Sequence, residues 1–202
     1  MLIVISEPDF IDNEANLINQ LFDEGMQLFH LRKPDSSREK VKALLKQISS
    51  DHYNKIALHQ HYKIAEEFGI KRIHYPEKIR KDTSENDFKK LKAAGHILST
   101  SVHRIKKYKA LSAEFDYTFL GPVFNSISKT GYTSARKEDF TLEENKTSVK
   151  VIALGGIKEV SIQEAFDLHF DGVAVLGAVW QQPETAVDNF KRIKELCNQI
   201  AR

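Results

Sequence analysis

Short apolar runs alternate with stretches of helical periodicity from one end of this chain to the other. That order demands repeated βα units rather than segregated helices and strands. Strands are predicted near Leu2–Ile5, Gln27–Leu31, Lys55–His59, Arg72–His74, His96–Ser101, Tyr117–Leu120, Lys150–Leu154 and Gly172–Leu176. Eight units without a Pro-rich or Ser-rich linker favour a closed parallel barrel, a (β/α)8 TIM barrel, with residues 1–202 as one domain. An open dinucleotide-binding sheet lacks its best support, since no G-x-G-x-x-G follows the first strand. The 202 residues are fewer than the ~250 usual for such a barrel but suffice for one core.

Caps and periodicity place the helices. Asp12 is positioned to cap a helix with Ala15, Ile18, Leu21 and Phe22 on one face, ending at Gly25. Ser36 and Glu39 have capping-box spacing before Val41, Leu44, Leu45 and Ile48. A helix is expected from Arg104 to Ala113, and others between Thr83 and Ala94 and between Arg136 and Thr147. The last starts at Pro183 and buries Val187, Phe190, Ile193, Cys197 and Ile200.

Charge and composition narrow the function classes. Thirty Lys and Arg against 28 Asp and Glu leave a formal charge of +2, so there is no broad basic field for nucleic acid. The lone Cys197 excludes an intrachain disulfide framework and is expected to be a buried, inert thiol in a reducing compartment. Leu2–Ile5 is too short for a signal-peptide core and lacks a basic flank, and no run approaches the ~20 apolar residues of a membrane span. A cytoplasmic location and no membrane partner are expected.

An anion site must then be local, and the C-terminal quarter points to one. The runs Val151–Leu154 and Val173–Leu176 are followed by Gly155-Gly156 and Gly177. Glycine admits a ligand against bare backbone, and the loops after the last two strands of such barrels commonly hold phosphate. Reactive groups in a barrel stand at the carboxyl ends of strands, so the polar residues there are the candidates. His30 and Arg32 share an inward phase, and the Arg32 guanidinium suits phosphate oxygens; its alternative role is pairing with a core carboxylate, with Lys33 solvated. His59, His61 and His74 with Glu77 invite a zinc reading, but no short ligand motif accompanies them, so hydrogen bonding or substrate contact is expected instead. Ser101 either donates to phosphate or caps the next helix; a nucleophilic pair with His103 lacks a third orienting group. The segment Gly121–Tyr132, with Ser126, Ser128 and Lys129, reads as a loop able to close over an anion.

Taken in order, His30-Leu31-Arg32, Ser101-Val102-His103, Gly121–Phe124 with Ser126–Lys129, Ala153–Ile157 and Gly172–Gly177 resemble the thiamine-phosphate synthase family and its relatives the thiazole tautomerases. The resemblance runs over nearly the whole chain. It implies a (β/α)8 barrel, a Mg2+ cofactor and small phosphorylated pyrimidine and thiazole substrates. It further implies that hydroxymethylpyrimidine diphosphate is joined to thiazole phosphate with release of pyrophosphate. Arg32, Ser101 and Lys129 would be catalytic. His30, Arg32, Lys33, His59, Ser101 and Lys129 would bind the pyrimidine diphosphate, and Ser126, Ile127, Ser128, Gly156, Leu176 and Gly177 the thiazole phosphate.

Departures from the family pattern are equally specific. His30 stands where the family usually has Gln; Lys33 directly follows Arg32, and Pro34 takes the place of the usual lysine. His59-Gln60 replaces an Asn-Asp pair, and Ile79 replaces a second acidic magnesium ligand, leaving Glu77 as the nearby carboxylate. The tautomerases have histidine where this chain has Pro122. Synthase activity is the leading expectation; tautomerase activity through His59 or His74, or non-catalytic binding of thiazole or thiamine phosphate, are the alternatives. Assembly as a homodimer is left open.

Overall fold

The computed structural model describes residues 1–124, 142 and 147–200. Its strands are β1 Leu2–Ile5, β2 Phe29–Leu31, β3 Ile56–Leu58, β4 Arg72–Tyr75, β5 Ile97–Val102, β6 Tyr117–Leu120, β7 Lys150–Leu154 and β8 Gly172–Val175. They pair in parallel in chain order, and β8 returns to β1, with Leu2 opposite Val173, to close the barrel. Strands β2, β3 and β8 are shorter than predicted, whereas β4 runs one residue further, to Tyr75.

Side-chain alternation divides the core in two. Val4, Phe29, Leu31, Ile56 and Leu58 face outward into the layer beneath the helices. Ile3, Ile5, Leu28, Ala57, Tyr117, Phe119, Ile152 and Ala174 fill the barrel itself. This period of two aims His30, His74 and Ser99 inward, each at most 1% exposed.

The helices are α1 Glu14–Asp23, α2 Arg38–Leu45, α3 Lys63–Phe68, α4 Glu77–Lys81, α5 Glu85–Ala93, α6 Ile105–Lys109, α7 Glu159–Asp167, α8 Gly177–Trp180 and α9 Ala186–Ile200. Helix α9 buries Ala186, Phe190, Ile193 and Cys197 along one stripe, after a 3-10 turn at Pro183–Thr185. Truncating such a residue, as in Phe190→Ala, costs about 3–5 kcal/mol.

Two caps differ from expectation. Helix α1 starts after Asn13 rather than Asp12; Asn13 is left-handed, at φ 58°, which asparagine tolerates better than most residues. Ser37, not Ser36, caps α2 by accepting a hydrogen bond from the Lys40 N–H, whereas the Ser36 hydroxyl donates to the Lys33 carbonyl. Helix α6 is shorter than the predicted Arg104–Ala113 segment. The helix expected near Thr83 is present as α5, with Ser84 accepting from the Asp87 N–H. The one expected between Arg136 and Thr147 lies largely outside the described residues.

Candidate active site

Beyond the carboxyl ends of β1 and β2, Ser6 and Arg32 are locked together. The Arg32 N–H donates to Ser6 Oγ at 2.9 Å, and the Ser6 hydroxyl donates to the Arg32 carbonyl at 3.0 Å. Ser6 is fully buried, so the backbone of Arg32 is fixed while its side chain stays exposed. The guanidinium charge reaches inward, disfavouring protonation of both His59 and His74. Sequence reading missed Ser6, although a polar residue directly after the β1 run was the available signal.

Lys33 departs from expectation. It is neither solvated nor free to meet a diphosphate: its ammonium is completely buried, donating to both Glu14 carboxylate oxygens at 2.7 and 2.8 Å and to the Asp9 carbonyl at 2.6 Å. The carboxylate pairing weighed for Arg32 thus falls to Lys33, because the odd step in strand phase turns it away from the barrel axis. Burial pushes the Glu14 carboxyl upward, against the opposing pull of Lys33. The pair ties the start of α1 to the end of β2.

The floor of the mouth is a cluster of imidazoles. His30 Nδ1 lies 2.8 Å from His59 Nε2, and His30 Nε2 lies 2.7 Å from the Tyr117 hydroxyl. His74 stacks on His59 with ring centres 4.0 Å apart, and its two nitrogens meet Ser99 Oγ at 2.9 Å and Ser101 Oγ at 3.0 Å. Phe119 packs against His30 and His74. Burial first, and neighbouring positive charge second, keeps all three imidazoles unprotonated; His74 is pushed down to about 3. Burial raises the Tyr117 phenol to about 12, so it remains a neutral hydroxyl. Ser101 therefore bonds to His74 rather than capping α6. Tyr117 and Ser99 also escaped the sequence reading, although each shares its strand's inward phase with Phe119 or Ser101.

The remaining polar candidates lie around this floor. His61, at φ 55°, donates from Nε2 to the Ser36 carbonyl at 2.8 Å and stands outside the cluster. His103 donates from Nδ1 to the Gly121 carbonyl at 2.8 Å, with its Nε2 3.9 Å from Glu77. The Glu77 carboxylate accepts from Lys81 at 2.8 Å, and that contact, ahead of its neighbours' charge, holds it below the usual carboxylate range. Ile79 is 40% exposed on α4, and Gln60 Nε2 is buried without a partner among the described residues.

On the opposite side the described part of the site is backbone. Val123 and Phe124 donate from their N–H groups to the carbonyls of Leu154 and Gly155, extending the β6–β7 pairing past the strand ends. Gly156 has φ +70°, and a Cβ there would lie 2.7 Å from the Phe124 carbonyl oxygen. Its missing side chain thus admits the neighbouring loop. Gly177 has nothing within 4 Å of a built Cβ and opens α8, where its N–H has no intrahelical acceptor. Trp180 anchors that turn by donating to the Ile5 carbonyl at 2.8 Å. The structure thus brings Arg32, His59, His74 and Ser101 together. Ser126, Ile127, Ser128 and Lys129 lie outside the described residues.

Among the described residues, the convergent donor set does not match magnesium. Among the described residues, the group of three or more His, Cys, Asp or Glu side chains close enough to share an ion is His30, His59 and His74. A hard cation that prefers carboxylate and phosphate oxygen is poorly served by three imidazoles.

Comparison with known proteins gives a consistent picture. The family model for thiamine monophosphate synthase matches residues 1–179. A thiamine-phosphate synthase from a Hydrogenobaculum species is 25% identical over 198 residues, covering 95% of this chain and 91% of the relative. One from Clostridium tetani is 27% identical over 180 residues, covering 87% and 81%. The crystal structure of thiamine phosphate pyrophosphorylase from Bacteroides thetaiotaomicron superposes with a TM-score of 0.78 at 28% identity, covering 98% of this chain and 97% of the other.

Proposed function

The chain belongs to the thiamine monophosphate synthase family, and from that premise we propose that it makes thiamine phosphate from hydroxymethylpyrimidine diphosphate and thiazole phosphate. The bond between the pyrimidine methylene carbon and the diphosphate oxygen breaks, and its electron pair leaves with pyrophosphate. The thiazole nitrogen then forms the new bond to that carbon. Such a reaction asks the protein for cationic positioning and water exclusion rather than for a nucleophile.

The observation that carries this reading is the fixed placement of Arg32, held by Ser6 beside the imidazole floor. In this reading Arg32 and Ser101 hold the diphosphate, and Lys129 stabilises the departing pyrophosphate. His30 and His59 form the surface beneath the pyrimidine. Ser126, Ile127, Ser128, Leu176 and Gly177 receive the thiazole phosphate, with Gly156 shaping their loop. Lys33 is withdrawn from the clamp by its bond to Glu14, which leaves Arg32 and Lys129 to meet most of the diphosphate charge. The reading is tested by following thiamine phosphate formation from both substrates with a series of divalent ions. Product that disappears in Lys129→Ala supports it, and no product with any ion overturns it.

A further inference from the structure

A barrel interior is normally filled with branched apolar side chains. Three imidazoles there must satisfy their nitrogens or forfeit several kcal/mol. Five of the six ring nitrogens of His30, His59 and His74 have a partner in the cluster or its hydroxyl rim. His59 Nδ1 has none among the described residues, and His59, at 6%, is the most exposed of the three. The cluster is therefore ordered from outside and open at one point.

Convergence of the donor atoms is the second observation. One ligand atom from each residue lies within 4.8 Å of the others. Imidazole nitrogens around a tetrahedral zinc ion, each at about 2.0–2.1 Å, stand about 3.3 Å apart. Small ring rotations bridge that difference. The outer partners are those a metal site requires: when His30 ligates through Nδ1, its Nε2 keeps the Tyr117 hydroxyl, and His74 keeps one serine while the other nitrogen ligates.

We propose that His30, His59 and His74 form a binding site for a borderline divalent transition ion, of which Zn2+ is the type, at the floor of the barrel mouth. Three neutral imidazoles match this class and mismatch Mg2+. The hydrogen shared between His30 Nδ1 and His59 Nε2 is displaced on binding and moves to the other nitrogen of the ring that carries it, His30 Nε2 or His59 Nδ1, so no net proton is released. Three protein ligands leave a fourth position for water or an anion. An anion there also offsets the charge of Arg32. The cluster was not legible as a unit in the sequence, where His61 was grouped with His59 and His74, and His30 was not.

The site stands independently of synthase activity and is tested by metal binding alone. Chelator-treated protein is titrated with Co2+, followed by visible absorption, and the Co2+ is then displaced with Zn2+. The expected result is one Co2+ per chain, with the intense absorption of a low-coordinate nitrogen site. His30→Gln, His59→Asn and His74→Asn should each weaken binding at least tenfold, whereas His61→Asn, outside the cluster, should not. Weak six-coordinate-type absorption in the native chain, or equal affinity in all four variants, overturns the site. Circular dichroism melting establishes that each variant is folded, and the native spectrum decides the matter should the cluster variants unfold.

Discussion

The two sides of the barrel mouth are built from different materials. From β2 to β6 the surface is side chain: Arg32, beside three imidazoles, two serines and a tyrosine that short hydrogen bonds join. From β6 to β8 the described surface is backbone, with Gly155, Gly156 and Gly177 where side chains would otherwise stand. A side-chain surface can be rewritten one residue at a time. A backbone surface depends on loop geometry, which substitution tends to break rather than alter. The departures from the synthase pattern at His30, His59 and Gln60 fall on the first side, while the glycine runs of the second side remain.

The largest effect expected on the side-chain half comes from the pair beneath it. Lys33→Met strands the Glu14 carboxylate in the protein interior, and breaking a buried pair in this way costs about 3–5 kcal/mol. Replacing both partners, with Glu14→Leu added, should recover most of the loss in denaturant unfolding. A double variant no more stable than the single one would mean that Lys33 supports the fold through its Asp9 contact instead. Next in size is the effect of Arg32→Ala on turnover. Loss of one charge-stabilising group commonly lowers a rate by about 10²–10³, and Lys33, held by Glu14, is not free to compensate. Unaltered kcat and KM would remove Arg32 from the site.

A smaller, pH-dependent effect isolates the imidazole floor. His30, His59 and His74 have folded-state pKa values below 6.5, so the unfolded chain binds more protons than the folded one in acid. Their contribution to stability is therefore fully present above the unfolded value and is lost as pH falls below it. For His74, at about 3 when folded, the loss between pH 8 and pH 5 comes to about 2 kcal/mol. His74→Gln in chelator-treated protein should flatten the pH profile of the melting temperature by a corresponding amount. A variant profile parallel to that of the native chain would show that His74 is not held neutral.

Both sides were legible in the sequence, but unequally. The eight runs gave strand order and closure because period and length are local signals, and Arg32 and Ser101 stood out as polar residues ending apolar runs. What escaped depended on packing between distant segments. Lys33 looked solvated because its partner, Glu14, lies in the preceding unit. His61 looked equivalent to His59 until the left-handed turn at His61 separated them. Ser99 sits mid-strand and Tyr117 opens β6, away from the carboxyl ends, where phase alone had to announce them. On the glycine side the sequence could not distinguish a glycine that admits a ligand from one that admits a neighbouring loop.

That last ambiguity yields the smallest but sharpest test of the comparison. Gly156→Ala must place a Cβ at φ +70° against the Phe124 carbonyl, so it should lose about 1–2 kcal/mol from the left-handed backbone alone, with the contact adding to it. At Gly177 an added Cβ meets no atom within 4 Å on an exposed helix start, so the stability of Gly177→Val should stay within about 0.5 kcal/mol of the native chain. Binding should show the reverse order. If the N–H of Gly177 receives the thiazole phosphate, a branched side chain there should raise the Kd by about tenfold or more, close to 1.4 kcal/mol. Calorimetric titration with thiazole phosphate and thermal melting of the two variants separate the roles. Should Gly177→Val bind the ligand as tightly as the native chain, the anion lies elsewhere on the backbone side, and the open space at Gly177 is only surface.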